Sequence, residues 1–168
     1  MKVSKLDKNK LLEIINENID IIEKDLNQYG GPFGAVIIDK DYNIVGVGWN
    51  TVTGTNDPTA HAEINAIRNA CKNLETFNLA GYTLIATGYP CPMCFSAIMW
   101  ANITSVYFVA DVKEAERIGF RDEFIYETIE RLRNGDTTKI KVIDLESKTA
   151  KRRMKNIYTM YDEIGKMY

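Results

Sequence analysis

Asp57-Pro58-Thr59-Ala60-His61-Ala62-Glu63 and, further along, Pro90-Cys91-Pro92-Met93-Cys94 are the stretches from which the rest of the chain can be read. Together they supply one imidazole, two thiols and a carboxylate. That set suits a zinc ion held by three protein ligands, with a fourth position for water and a proton carrier beside it. The C-x-x-C spacing lets Cys91 and Cys94 reach one metal at the start of a helix. His61 is the only histidine in the chain, so any imidazole ligand must be His61. Glu63 follows two residues later, a poor position for binding the same ion but a good one for carrying a proton. C-x-x-C alone is equally a redox or structural-zinc pattern. A structural site would need a fourth protein ligand, and the remaining thiol, Cys71, falls on the apolar face of a helix, as a small buried hydrophobe does.

Working outward, Asp57-Pro58 has the residues of a helix start, a capping carboxylate and then a proline at the first helical position. A helix is expected from there to about residue 73, with Ile64, Ile67 and Cys71 along one face. Pro90 and Pro92 bracket a second start, and residues 95–101 form a thoroughly apolar helix. Upstream, Leu11, Leu12, Ile15, Ile19, Ile22 and Leu26 recur at helical spacing over residues 10–28, until Tyr29-Gly30-Gly31-Pro32-Phe33-Gly34 stops the pattern. Residues 35–39 and 44–49 are rich in Val and Ile and read as an antiparallel hairpin. Residues 51–56 read as a polar loop. Strands are expected at 82–87, 105–110 and 140–143, and helices at 112–118, 123–132 and 149–167. No repeat, low-complexity tract or linker interrupts this order, so residues 1–168 read as one domain. The expected fold is α/β, a three-layer helix–sheet–helix sandwich with a mixed five-stranded sheet.

The 168 residues are enough for such a core. Lys plus Arg is 21 and Asp plus Glu 23, a net charge of −2, which argues against a dedicated polynucleotide binder. The run Lys151-Arg152-Arg153-Met154-Lys155 reads as the solvated face of the last helix. Lys2, Lys5, Asp7 and Glu13 break up any secretory signal. No apolar run approaches the roughly 18 residues of a membrane span. An odd cysteine count with a C-x-x-C pair reads as metal chemistry in a reducing cytoplasm.

Taken jointly, H-x-E followed by P-C-x-x-C is the signature of zinc-dependent nucleobase deaminases. The sequence resembles the cytidine deaminase superfamily and, within it, the bacterial guanine deaminases. The likeness is carried by Gly31-Pro32-Phe33-Gly34-Ala35-Val36, Asn50, the two metal stretches, Ala97-Ile98-Met99-Trp100-Ala101 and Gly119-Phe120-Arg121-Asp122-Glu123-Phe124-Ile125-Tyr126. The metal motifs are shared with cytosine, cytidylate and tRNA adenosine deaminases, so they specify chemistry and not substrate. The Gly-Phe-x-Asp-x-Phe stretch and Tyr168 tilt the resemblance to guanine. It implies that His61, Cys91 and Cys94 hold one zinc and that Glu63 shuttles protons. It implies that Asn50 binds a base edge, Asp122 faces the guanine amidine, Ala62 lies against the substrate and Tyr168 closes the site. It also implies a homodimer in which the C-terminal segment, about 145–168, is exchanged, so that Tyr168 acts in cis or in trans.

Several of these residues have a plainer reading. Phe33, Trp49 and Trp100 are candidates for the flat apolar walls and equally ordinary core aromatics. Asp122 could cap the helix at 123–132, Asn50 could serve a turn, and Tyr168 could fray as chain ends do. One departure stands out. Guanine deaminases commonly have Ser-Cys-Glu-Pro-Cys where this chain has Thr87-Gly88-Tyr89-Pro90-Cys91, which places Tyr89 beside the leaving group. The expected reaction is conversion of guanine to xanthine and ammonia. Cytosine, guanosine and tRNA adenosine are the alternative substrates, and a non-catalytic zinc module is the alternative function.

Overall fold

The structure, a computed structural model, describes residues 6–24 and 30–164. The chain forms two compact units, divided between Glu123 and Phe124.

The first unit runs α1 (Lys8–Lys24), β1 (Gly34–Ile38), β2 (Ile44–Trp49), α2 (Val52–Thr55), α3 (Ala62–Asn73), β3 (Thr83–Gly88), α4 (Pro92–Trp100), β4 (Ser105–Ala110) and α5 (Val112–Arg117). The strands lie in the order β2-β1-β3-β4. β1 is antiparallel to both β2 and β3, while β3 and β4 are parallel. A parallel pair needs a crossover, and α4 supplies it. All of β1 is buried, and its side chains alternate between two cores, as the pleat requires. Val36 and Ile38 pack with Leu11 and Ile15 of α1 and with Ile85. Ala35 and Ile37 pack on the other face with Ala62, Ala66 and Ala70 of α3, Leu84 of β3 and Ile98 of α4. The result is the expected three-layer α/β/α arrangement.

Three expectations need correction. The sheet has four strands, not five. Residues 140–143 form no strand; Ile140, Val142 and Ile143 stand exposed. Apolar β-formers become a strand only where a neighbouring ladder accepts their backbone groups, and no described strand pairs with this stretch. Helix α3 starts at Ala62 with His61 as its N-cap, not at Asp57. The Asp57 carboxylate instead accepts from the Thr59 N–H at 2.8 Å and the Thr59 hydroxyl at 2.6 Å. It closes its own turn, as Asp commonly does in loops. The polar loop at 51–56 contains the one-turn helix α2.

The second unit contains α6 (Glu123–Arg133), which begins one residue before the division, and α7 (Lys148–Ile164). Neither helix has a buried residue. The turn after α6 is pinned by Arg131, whose Nε donates to Asp136 at 2.7 Å. Lys151 pairs with Asp144 at 2.6 Å ahead of α7. Among the described residues, no helix is long and apolar enough to cross a membrane.

Candidate active site and metal centre

Helices α3 and α4 both begin at the same end of the sheet, and each brings a candidate metal ligand as its N-cap: His61 for α3 and Cys91 for α4. Pro92 occupies the first turn of α4, where its missing N–H costs nothing. Cys94 follows one turn further in. His61 Nδ1 lies 3.6 Å from each of the Cys91 and Cys94 sulfurs, and the two sulfurs are 3.5 Å apart. Zinc bonds of about 2.3 Å to sulfur and about 2.0 Å to nitrogen, spread tetrahedrally, set S···S edges of about 3.8 Å and S···N edges of about 3.5 Å. The triangle therefore has the size of one face of a zinc tetrahedron. No further His, Cys, Asp or Glu among the described residues joins it. His61, Cys91 and Cys94 form a candidate zinc site, with the fourth apex outside the protein's own donor set.

The electrostatics agree. The Cys91 thiol is lowered to about 4, chiefly through its hydrogen bond with Cys94 and also by His61. Cys94 is pushed up by the same bond, by burial and by the Glu63 carboxylate. The pair thus shares one proton, which a bound cation would displace. A helix N-terminus adds its partial positive charge to this thiolate. His61 is raised, mainly by its hydrogen bond with Cys91.

Glu63, in the first turn of α3, is buried. Burial pushes its carboxyl up, and the hydrogen bond with Cys94 opposes this. It lines a cavity together with His61 and Cys91. Phe33, Asn50, Tyr89, Phe120 and Asp122 also line this cavity. Asn50 is only 3 % exposed. Its N–H donates to the Phe33 carbonyl at 3.0 Å, and its carbonyl accepts from Gly30. Its Oδ1 accepts from the Val52 N–H at 3.2 Å, which leaves the NH2 end as a donor. Phe33 meets Phe120 edge to face, with centroids 4.8 Å apart. The Gly34 N–H donates to the Thr87 hydroxyl, so β3 fixes the backbone beside Phe33. Asp122 is half-buried; burial raises its carboxyl, and the nearby Cys91 charge adds to this.

The other residues singled out from the sequence lie elsewhere. Trp100 is 67 % exposed near the end of α4. Ala62 packs into the core under the sheet. Trp49 ends β2, opposite Gly34. Tyr168 lies outside the described residues. Tyr89 is held edge-on against Phe95 and Phe108, at centroid distances of 5.3 and 5.0 Å, with its N–H bonded to the Ala110 carbonyl. Phe120 and Ala115 were not foreseen as walls. Phe120 sits inside the Gly-Phe-x-Asp stretch and could have been found there. Ala115 carries no signal in the sequence.

A three-layer α/β/α sandwich with a two-cysteine, one-histidine centre at the helix starts defines a narrow class of metalloprotein. Residues 9–110 match the cytidine and deoxycytidylate deaminase zinc-binding region, and the chain belongs to that family. It is 50 % identical over 102 residues to guanine deaminase of Bacillus subtilis, covering 61 % of this chain and 65 % of that protein. It is 44 % identical over 93 residues to the tRNA-specific adenosine deaminase of Haemophilus influenzae, covering 55 % of this chain and 54 % of that one. Each match therefore spans less than two thirds of the relative's length. The fold is similar to the crystal structure of Bacillus subtilis guanine deaminase, with a TM-score of 0.78 and 33 % identity over 92 % of this chain and 95 % of that one.

Proposed function

We propose that the protein is a zinc-dependent hydrolase that deaminates a free nucleobase, guanine, to xanthine and ammonia. The observation that carries this reading is the shared cavity of His61, Cys91, Glu63, Asn50 and Asp122. Zinc at the three ligands supplies a Lewis acid that makes water a nucleophile near neutral pH. Glu63 would take one proton from the attacking water and deliver it to N3 of the purine as the C2–O bond forms; it would then take the second proton from the C2 hydroxyl and pass it to the 2-amino group, so that the C2–N bond breaks to release ammonia and leave the C2 carbonyl of xanthine. Burial raises the affinity of this carboxylate for the proton it must hold between those steps. Ionised Asp122 accepts from N1–H and from the 2-amino group. Adenine offers a bare acceptor at the corresponding edge, which the carboxylate repels. Asn50 donates to the base from its amide, and Phe33 and Phe120, in contact with each other, offer it an apolar wall.

Zinc-loaded protein incubated with guanine should release xanthine and ammonia in equal amounts. Absence of turnover on guanine, with good turnover of cytosine or guanosine, overturns the substrate and leaves the reaction standing. A second reading, deamination of adenosine in tRNA, is favoured by the Haemophilus influenzae relative and opposed by the net charge of −2. Salt-dependent tRNA binding with inosine formation would establish it instead.

The protein acts as a dimer in this reading, with the segment from about residue 145 exchanged between copies. Helix α7 has no buried residue and exposes Ile157, Tyr158, Met160 and Tyr161. An apolar helix face needs a partner surface to be stable in water. Closure of the site by Tyr168 rests on the family resemblance alone. The cytoplasm suits the thiolate ligands, since Cys91 and Cys94 are free thiols here and must stay reduced.

A further inference from the structure

Three asparagines on α3, spaced four residues apart, hook the free edge of β2. The Asn65 side-chain NH2 donates to the Trp49 carbonyl at 2.8 Å, that of Asn69 to the Val47 carbonyl at 2.8 Å, and that of Asn73 to the Val45 carbonyl at 2.9 Å. Four residues of helix rise about 6.0 Å and two residues of strand about 6.6 Å, so the rungs stay in step. The helix can lie this close because β2 carries Gly46 and Gly48 under it. A Cβ on Gly48 would fall 2.1 Å from the Ala62 carbonyl oxygen, and one on Gly46 would fall 2.5 Å from that of Ala66. As β2 is the outermost strand, the ladder also occupies carbonyls that would otherwise invite edge pairing.

The first rung differs from the other two. Asn65 Nδ2 also reaches the Thr51 hydroxyl at 3.1 Å and the Ala60 carbonyl at 3.3 Å. Trp49 and Thr51 flank Asn50, and Ala60 precedes the metal ligand His61. The Thr51 N–H itself bonds to the Ala60 carbonyl at 2.9 Å, so the loop between them is pinched shut at the point Asn65 grips. We infer that Asn65 is a positioning residue, which sets the separation between the base-binding Asn50 and the metal ligand His61 by tying both backbones to α3. Asn69 and Asn73 make the same kind of bond to β2, and neither reaches the 51–60 loop in this way. They serve the edge and the packing only.

This rests on the reading of the site as a zinc-dependent deaminase, so the test has an arm that needs no substrate. Zinc affinity is measured by competition with a chromophoric chelator for the full-length native chain, Asn65→Ala and Asn73→Ala. Removing a group that orients a metal ligand typically costs 10–100-fold in affinity. The expected result is a weakening of about that size for Asn65→Ala and less than about twofold for Asn73→Ala, with similar losses of thermal stability in both. In guanine turnover, Asn65→Ala should raise KM and lower kcat together, and Asn73→Ala should change neither. Equal zinc affinities in the two variants overturn the inference, even if both are active. If Asn65→Ala does not fold, Thr51→Val removes one of its acceptors, and a smaller weakening in the same sense is required. An unchanged zinc affinity in Thr51→Val overturns the inference as well. If the native chain binds zinc and leaves guanine untouched, the substrate reading fails and the zinc arm still decides the role of Asn65.

Discussion

Glu63 and Asp122 are two carboxylates in one cavity, raised chiefly by the same cause, burial, and asked to do different work. Glu63 is the proposed proton carrier, so Glu63→Gln should keep the shape and remove the chemistry. Turnover should fall about 10²–10⁴-fold while one zinc per chain remains bound, read by metal analysis alongside the assay. Retained turnover would mean that Glu63 is not the proton carrier, whereas a native chain that binds zinc and turns over no base would return the protein to a zinc-stabilised module. Asp122 is the proposed reader of the base, and Asp122→Asn would place an NH2 donor against a pair of donors. Its kcat/KM for guanine should drop about 10–100-fold, with zinc content unchanged; a drop of less than about twofold would mean that Asp122 does not face the amidine. At this scale the sequence was most legible where chemistry is local. His61, Cys91, Cys94 and Glu63 could be named because few residue types hold zinc or carry protons. Trp100 shows the limit: aromatic character says nothing of direction, and this ring stands 67 % exposed.

The pairing of α3 with β2 is the element-scale feature on which the site depends. Gly46 and Gly48 are there for close approach, since a side chain at either would meet helix backbone or Ala70. Gly48→Ala should cost about 1–3 kcal/mol, as overpacking generally does, measured by denaturant unfolding of the zinc-loaded protein. A variant as stable as the native chain would mean that the helix can lift from the strand without loss. The start of α3 shows why element boundaries were harder to read than element types. Asp-Pro is a good cap in general, yet the Asp57 carboxylate is used on Thr59 and the helix waits for His61. That choice depends on the pinch between Thr51 and Ala60, a contact invisible in local spacing.

On the scale of the whole molecule, the proposed exchanged dimer would cover the exposed apolar side chains of α7 and the stretch at 140–143. Sedimentation should give twice the 19.1 kDa chain mass. Charging one face of α7 with Ile157→Glu and Tyr161→Glu should shift the protein to monomer and lower its activity. A native monomer with full turnover would end the exchanged-segment reading. The amino-acid sequence alone determined which residues form the candidate metal site, most helices and strands, and the layered class of fold. These follow from patterns within a few residues: a C-x-x-C turn, a 3.6-residue or two-residue apolar period, a proline at a helix start. The tertiary structure alone decided that Phe120 and Ala115 complete the cavity that Phe33, Asn50, Tyr89 and Asp122 line, that the described sheet has four strands and not five, and that asparagines lock α3 to β2. Those residues are far apart along the chain, and their separations in space are set by how sheet and helices pack, which no local pattern records.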